Sequence, residues 1–416
     1  MAESAPLRLF EGLGLELELM LVDRQSLDVR PIAERVLFAA SGDRSGDHDN
    51  GRISWSNELV RHVIELKTSA PERGPHGLQD AFQENVRTIE ALLEPHGARL
   101  MPTGMHPWMD PARETELWPF EYAEVYRTYD RVFDCRRHGW ANLQSVHLNL
   151  SFGDDDEFAR LHAAVRLVLP LVPALAASTP VFEGRPAAHL DQRLEVYRTN
   201  SARVPRMTGA VIPEPLFTQR DYRREILEPL QREVAALEPT GILEGEWLNA
   251  RGAIARFDRD ALEIRLIDTQ ECPRADVAVA WAVRCVVAAL CAERWSSSAT
   301  QRAFTSAPLA ALLGDAIRSG PDARVVDPAY ARALGWERAA LPTLGELWQT
   351  LFASAVASAP ESDAALLAPV RTILEHGTLA QRIRAALGPA PARGRLTDVY
   401  RELCECLTAG RSFHAG

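Results

Sequence analysis

Lysine is all but missing from this chain: Lys67 is the only one in 416 residues, so basic charge is carried almost wholly by arginine. The balance is acidic, with 46 Lys and Arg against 57 Asp and Glu and a formal charge of −11. No basic surplus exists to neutralise phosphates over an extended path, which argues against a nucleic-acid partner. Any phosphate contact beyond Lys67 must come from arginine or backbone amides. Cysteine is sparse as well. Cys135, Cys272, Cys285, Cys291, Cys404 and Cys406 show neither CxxC spacing nor the density of a disulfide framework, which suits a reducing, cytoplasmic setting. Long apolar runs are missing: 165–177 is interrupted by Pro170 and Pro173, 277–292 by Arg284, and both fall short of the ~20 residues a bilayer span needs. No membrane partner and no export are expected, since the first residues lack a basic start and an apolar core. GxxxxGK[ST], GxGxxG opening a helix, and HExxH are all absent, which rules out a P-loop but not nucleotide use. Neither an internal repeat nor a low-complexity linker is found, and 46% hydrophobic with 25% charged residues is ordinary globular material.

What is there is organised around residues 10–23. Read with period two, Leu13, Leu15, Leu17, Leu19 and Leu21 share one face and Gly14, Glu16, Glu18, Met20 and Val22 the other, the pattern of a strand. Two carboxylates side by side in an apolar run require a counter-charge, because an unpaired buried carboxylate is expensive. A solvated face paired with arginines would explain one such strand. The design recurs, however, at 59–69 with Glu65 and Lys67, at 144–152 with Ser145, His147, Asn149 and Ser151 opposite Val146, Leu148, Leu150 and Phe152, and at 261–268 with Glu263 and Arg265 opposite Leu262, Ile264 and Leu266. If these strands share a sheet, four carboxylates converge, and divalent cations relieve their repulsion. A carboxylate-rich oxygen site with one imidazole suits Mg2+ or Mn2+ rather than structural zinc. Arg265 beside such a cluster points to an anionic ligand, a phosphate.

Between and after the strands, the spacing predicts helices over 76–94, 157–178, 220–238 and 276–295, a strand over 98–104, and a glycine-punctuated loop over 41–51. Residues 111–138 read as partly helical. From about 300 the chain turns to Ala, Leu and Arg with helical periodicity at 344–358, 363–376, 378–387 and 395–408. This gives two expected regions, 1–296 as a catalytic sheet domain and 297–416 as helices packed on it.

Gly14-x-Glu16-x-Glu18, the 58–71 segment from Glu58 to Glu65-Leu-Lys-Thr-Ser-Ala-Pro71, Thr103-Gly104-Met105-His106-Pro107, His147-x-Asn149 and Leu262-Glu263-Ile264-Arg265 resemble, in that order, the glutamate–cysteine ligase family and the related bacterial carboxylate-amine ligases. Ser178-Thr179-Pro180 through Gly184-Arg185, and Tyr197-Arg198, are similar to that group too. The resemblance covers about residues 7–296. It implies an α+β fold of glutamine synthetase-like type, with a curved, mainly antiparallel sheet, helices on its convex face, and ATP with two or three Mg2+ or Mn2+ ions on the concave one. The implied reaction is ATP-dependent amide formation through an acyl phosphate of a γ-carboxylate. By motif position Glu16, Glu18, Glu65, His147 and Glu263 would be metal ligands, Arg265 a phosphate clamp acting in catalysis with Glu65, and Asn149 a polar contact to nucleotide or substrate. Glu58 is a further candidate, although an unbroken strand would set it on the face opposite Glu65. Arg198 with Tyr197, and behind them Arg185 and Arg193, are candidates for an amino-acid carboxylate. His106 reads as a packed loop histidine, Glu244 and Glu246 as an exposed strand face, and Trp247 as core. The chain departs from the group at Glu16-Leu17-Glu18, where carboxylate-amine ligases commonly carry three consecutive acids, and at Lys67, where a small or apolar residue is usual. Small amino-acid substrates are the partners expected, with a homodimer as the candidate assembly. A metal-dependent hydrolase and a nucleotide-binding protein without turnover remain as alternatives.

Overall fold

A computed structural model describes residues 7–243 and 248–415. Alternation of leucine with polar residues makes residues Leu13–Asp23 the central strand, β1. Around it lie β2 (Asp47–Asn50), β3 (Ile53–Asn57), β4 (Val63–Thr68), β5 (Ala98–Met101) and β6 (Ser145–Ser151), then a separate ribbon of β7 (Val181–Phe182) and β8 (Arg185–Pro186), and finally β9 (Ala253–Arg256) and β10 (Ala261–Asp268). The main sheet runs β2-β3-β4-β1-β6-β10-β9, with β5 also paired to β1, and each pairing is antiparallel.

One face of this sheet is hydrocarbon. Leu15, Leu17, Leu19, Ile64, Leu66, Leu148, Leu150, Leu262 and Ile264 are buried there in one cluster with Phe82, Val86 and Ile89 of the Leu78–Leu93 helix, Leu161 and Val165 of the Asp155–Val168 helix, and Val283 and Val286 of the Pro273–Cys291 helix. Burying each large side chain contributes about 1.5–3 kcal/mol, so this face supplies most of the sheet's stability. The Pro273–Cys291 helix is nearly apolar all round because it lies between the Leu78–Leu93, Asp155–Val168 and Ala364–His376 helices.

The C-terminal helices reach the other face too. Met20 and Val22, at the far end of β1, are buried against Met101, Ile383, Leu396, Tyr400 and Leu403, which brings the Leu379–Leu387 and Arg393–Ala409 helices over that half of the strand. A buried ion pair, Arg382 to Glu271 at 2.8 Å, ties them to the segment after β10. No helix of the described residues is long and apolar enough to cross a membrane.

Several local expectations change. The strand expected over 59–69 is shorter, because residues 60–61 pair instead with 116–117, leaving 58–62 as a connection. The expected loop over 41–51 contains β2, an edge strand that pairs with β3 through a turn in which Gly51 adopts φ +80°. Pro170 and Pro173 divide the expected 157–178 helix into Asp155–Val168, a tight turn over Leu169–Leu171, and Pro173–Ala176. The strand expected over 98–104 ends at Met101, and Thr103 has φ +82°.

Candidate active site

The second face of the sheet carries the charge. Register sets Glu16 opposite Lys67 on β4 and His147 on β6, Glu18 opposite Glu65, Gly14 opposite Asn149, and Glu263 opposite Asn149 from the other side. Glu16, Glu18, Glu65, Lys67, His147, Asn149, Glu263 and Arg265 therefore line one cavity of about 910 Å3. Gly14 leaves room on the cavity floor: a Cβ there would lie 3.1 Å from that of Asn149, tighter than ordinary contact. Of the sequence candidates, the structure brings together all five acidic or imidazole residues, Glu16, Glu18, Glu65, His147 and Glu263, with Asn149 and Arg265.

His147 sits at the centre. Its Nδ1 is 2.9 Å from Glu16 Oε2 and 3.7 Å from Glu263 Oε1, while its Nε2 is 2.9 Å from Ser145 Oγ and 3.9 Å from Glu18 Oε1. Asn149 Nδ2 donates to Glu16 Oε1 at 3.1 Å. Glu18 Oε2 accepts from the Ser145 backbone N–H at 2.7 Å and from its hydroxyl at 3.2 Å. Glu263 is held by Arg256 at 3.1 Å and by Arg265. Among the described residues, Glu16, His147 and Glu263 form one group, and Glu18, Glu65 and His147 another, whose ligand atoms lie within 4.8 Å of one another. That spacing and an oxygen-dominated donor set fit a hard divalent cation. The two groups share one imidazole, so a neutral His147 would serve one of them and leave the other to oxygen.

Electrostatics are strained in the way clustered acids impose. Burial pushes Glu58 well above the usual carboxylate range, and the neighbouring charges of Glu65 and Glu18 push it further. Glu65 is raised by burial and by Glu16, against the pull of Lys67. For Glu16, burial acts upward, but the hydrogen bond and charge of His147, with Arg265 and Lys67, bring it down to about 2. Burial would lower His147 and Arg265 opposes its charge as well, yet its contacts with Glu16 and Glu18 leave it raised.

Other candidates fall elsewhere. Arg198 caps the C-terminal end of the Gln192–Tyr197 helix, is 42% exposed, pairs with Glu195 at 3.4 Å, and is not among the residues lining the cavity. Its assignment as a carboxylate anchor is therefore not carried by its position, because the helix turns it outward. Tyr197 is buried, donates to the Ala250 carbonyl at 2.8 Å, and also hydrogen-bonds Arg265, so it stands behind that guanidinium. Arg193 is buried against Asp268, and Arg185 is exposed on β8. His106 is a buried loop residue 2.8 Å from the Leu27 carbonyl. Glu244, Glu246 and Trp247 lie outside the described residues.

Three residues escape a reading by alternation, Glu58 and Arg256 in the cavity lining and Asp268 behind it. Glu58 lines the cavity because β3 ends at Asn57 and the connection turns it inward, so the parity argument across 58–65 does not apply. Asp268 reaches the polar face because a bulge between Ile264 and Ile267 shifts the parity of β10 and pairs Asp268 with Ser145. There it accepts from the Ser178 N–H at 2.8 Å and from the Ser178 and Thr179 hydroxyls at 3.2 Å, and it holds Arg193. Arg256 comes from β9, a four-residue strand whose alternation is too short to stand out.

Comparison with known proteins adds an independent line. Glutamate-cysteine ligase family 2 (GCS2) matches residues 12–402. A protein of Archaeoglobus fulgidus described as uncharacterized is 30% identical over 389 residues, 93% of this chain and 96% of that one. A Nocardioides protein provisionally named glutamate–cysteine ligase 2-1 is 26% identical over 406 residues, 97% of this chain and 98% of its own. Clavibacter sepedonicus has a relative with the provisional name glutamate–cysteine ligase 2, 25% identical over 217 residues, so that this chain spans about half (51%) of its length. Among solved structures, the glutamate–cysteine ligase of Francisella tularensis, in complex with AMP, superposes with a TM-score of 0.57 at 14% identity, covering 99% of this chain and 91% of that one. At that identity the likeness speaks for the fold alone, a mixed helix and sheet architecture with a mainly antiparallel sheet.

Proposed function

Because this chain belongs to glutamate-cysteine ligase family 2, we propose that it is an ATP-dependent carboxylate-amine ligase that forms a γ-glutamyl-type amide through an acyl-phosphate intermediate. The observation that carries the reading is the convergence of Glu16, Glu18, Glu65, His147, Glu263 and Arg265 on one cavity wall. On it, the fold is of glutamine synthetase-like type, residues 1–296 are the catalytic part, and the C-terminal helices buttress it.

Phosphoryl transfer asks a protein mainly for positioning and charge neutralisation. Glu16, Glu18, Glu65, Glu263 and His147 would hold Mg2+ or Mn2+, which supplies neutralisation of phosphate charge when bound. Arg265, backed by Tyr197 and paired with Glu263, presents a guanidinium to the transferring phosphate. Asn149 reaches the same floor and can donate to phosphate or substrate. No side chain need act as a nucleophile, because the substrate carboxylate attacks the γ-phosphorus of ATP as its bond to the β–γ bridging oxygen breaks and ADP leaves, and the amine then attacks the acyl carbon, losing a proton and releasing phosphate. Consistent with this, burial pushes the thiols of Cys285, Cys291 and Cys404 up to about 12, far from the reactive thiolate range.

The test is ADP release from Mg·ATP with glutamate and a panel of amines. Amine-dependent ADP release supports the reading. Hydrolysis of amides that persists after nucleotide removal would sink it in favour of a metal-dependent hydrolase, and nucleotide binding with no turnover on any amine would favour a non-catalytic relative.

A further inference from the structure

The sole lysine lies inside the cavity. β4 places Lys67 two residues from Glu65 on the polar face, opposite Glu16 on one side and Ser54 on the other. Its ammonium donates to Ser56 Oγ at 2.8 Å and to Glu65 Oε1 at 3.1 Å, with Asp47 Oδ1 at 3.8 Å. The Ser56 hydroxyl in turn donates to the same Glu65 oxygen at 2.8 Å. Lysine, serine and carboxylate thus close a small ring in which Glu65 Oε1 is saturated, and the carboxylate keeps one oxygen for the inner group with Glu18 and His147. The wall as a whole bears six carboxylates, Glu16, Glu18, Glu58, Glu65, Asp258 and Glu263. Glu263 is offset by two guanidiniums, whereas Glu65, on the β4 side, is offset by this one ammonium. A mobile cation placed on that outer side of Glu65 would lie against a fixed positive charge in a half-buried site, where such repulsion is poorly screened.

We propose that Lys67 is a tethered monocation occupying the place of one divalent ion on the outer side of Glu65, so that this chain holds two metal ions, one at each of the two groups around His147, and no third. The inference rests on the metal-binding reading given above. It makes Lys67 a positioning residue: it fixes the Glu65 carboxylate and sets the number of ions the site accepts, without touching the reacting atoms.

Counting Mn2+ by electron paramagnetic resonance titration of the full chain, without nucleotide, tests this apart from any turnover. Wild-type protein is expected to bind two ions, Lys67→Met three, and Lys67→Arg, which restores the charge, two. Because Lys67 is the only lysine, the count can be repeated on folded wild-type protein acetylated in solution, where loss of the charge should again give three, and on reductively methylated protein, where the charge survives and two are expected. This second pair keeps the test decisive if Lys67→Met does not fold. Two ions on both Lys67→Met and the acetylated protein, or three on wild type, overturns the proposal while leaving the metal reading intact. No Mn2+ on wild type overturns the two together.

Discussion

The two faces of β1 are built from the same eleven residues and do opposite work. On one, five leucines lie in a continuous hydrocarbon core. On the other, Glu16 and Glu18 confront Glu65, Glu58 and Glu263, an arrangement that raises the free energy of the metal-free fold. The strand tolerates the second face because the first is so well buried. Even the polar face is divided: Met20 and Val22 are covered by the C-terminal helices, and only the Gly14–Glu18 half opens into the cavity. Stability and chemistry are thereby separated by a period of two residues, and substitutions one position apart should report on different properties.

The sharpest way to break this contrast is on the charged side. Glu18→Gln is expected to abolish metal-dependent ADP release, a loss on the order of 10^3-fold, because several kcal/mol of charge stabilisation depend on the ligand set. The melting temperature of its metal-free form should stay within a few degrees of wild type, since the amide oxygen can still accept from Ser145. A wild-type turnover rate, or an unfolded variant, would break the division between the faces. Its neighbour Leu17 is fully buried on the other face. Leu17→Ala should cost about 2–5 kcal/mol in urea denaturation while each folded molecule binds as many Mn2+ ions as before. Altered ion counts in the folded fraction would mean that the faces are coupled.

A smaller effect distinguishes them by pH. His162, on the helix packed under the hydrocarbon face, is stacked on Phe158, and burial depresses its pKa to about 3. The unfolded chain protonates this group below its ordinary value of 6.5 and the folded chain does not, so stability is complete above that pH and declines as pH falls toward about 3. His162→Phe should therefore flatten the acid limb by about 1.4 kcal/mol per pH unit below 6.5 in denaturation measured at pH 7, 6 and 5, and leave the alkaline limb unchanged. An unaltered acid slope would show that His162 is not held neutral.

How much of this was legible without coordinates follows from what alternation can and cannot encode. Strands 13–22 and 144–152 alternate over seven or more residues and 262–266 over five, so the polar residues in them are assigned to one face, and the register brings them together. Where the backbone interrupts the period, the assignment failed for a physical reason. Glu58 opens the connection that pairs with residues 116–117, and Asp268 follows a bulge that buries Leu266 and Ile267 in succession. The helices after residue 340 fell close to their expected bounds, because capping residues such as Thr343, Asp363 and Thr378 sit just before their first turns. Which surface those helices cover was not legible, since Met20 and Val22 read as members of the charged face until their partners are known.

Arginine shows the same limit on a single side chain, and gives the smallest of the expected effects. Tyr197-Arg198 reads as a single unit in the sequence, yet the helix that carries it turns Tyr197 inward to Arg265 and Arg198 outward to Glu195. An exposed pair three residues apart is worth a few tenths of a kcal/mol. Arg198→Ala should then shift unfolding by less than about 0.5 kcal/mol and change kcat/KM for the acid substrate by less than about twofold. Arg193, by contrast, is buried against Asp268, and Arg193→Ala would leave that carboxylate without its cation. A rise in KM of tenfold or more for Arg198→Ala, with kcat unchanged, would mean that the acid substrate draws this arginine into the cavity on binding.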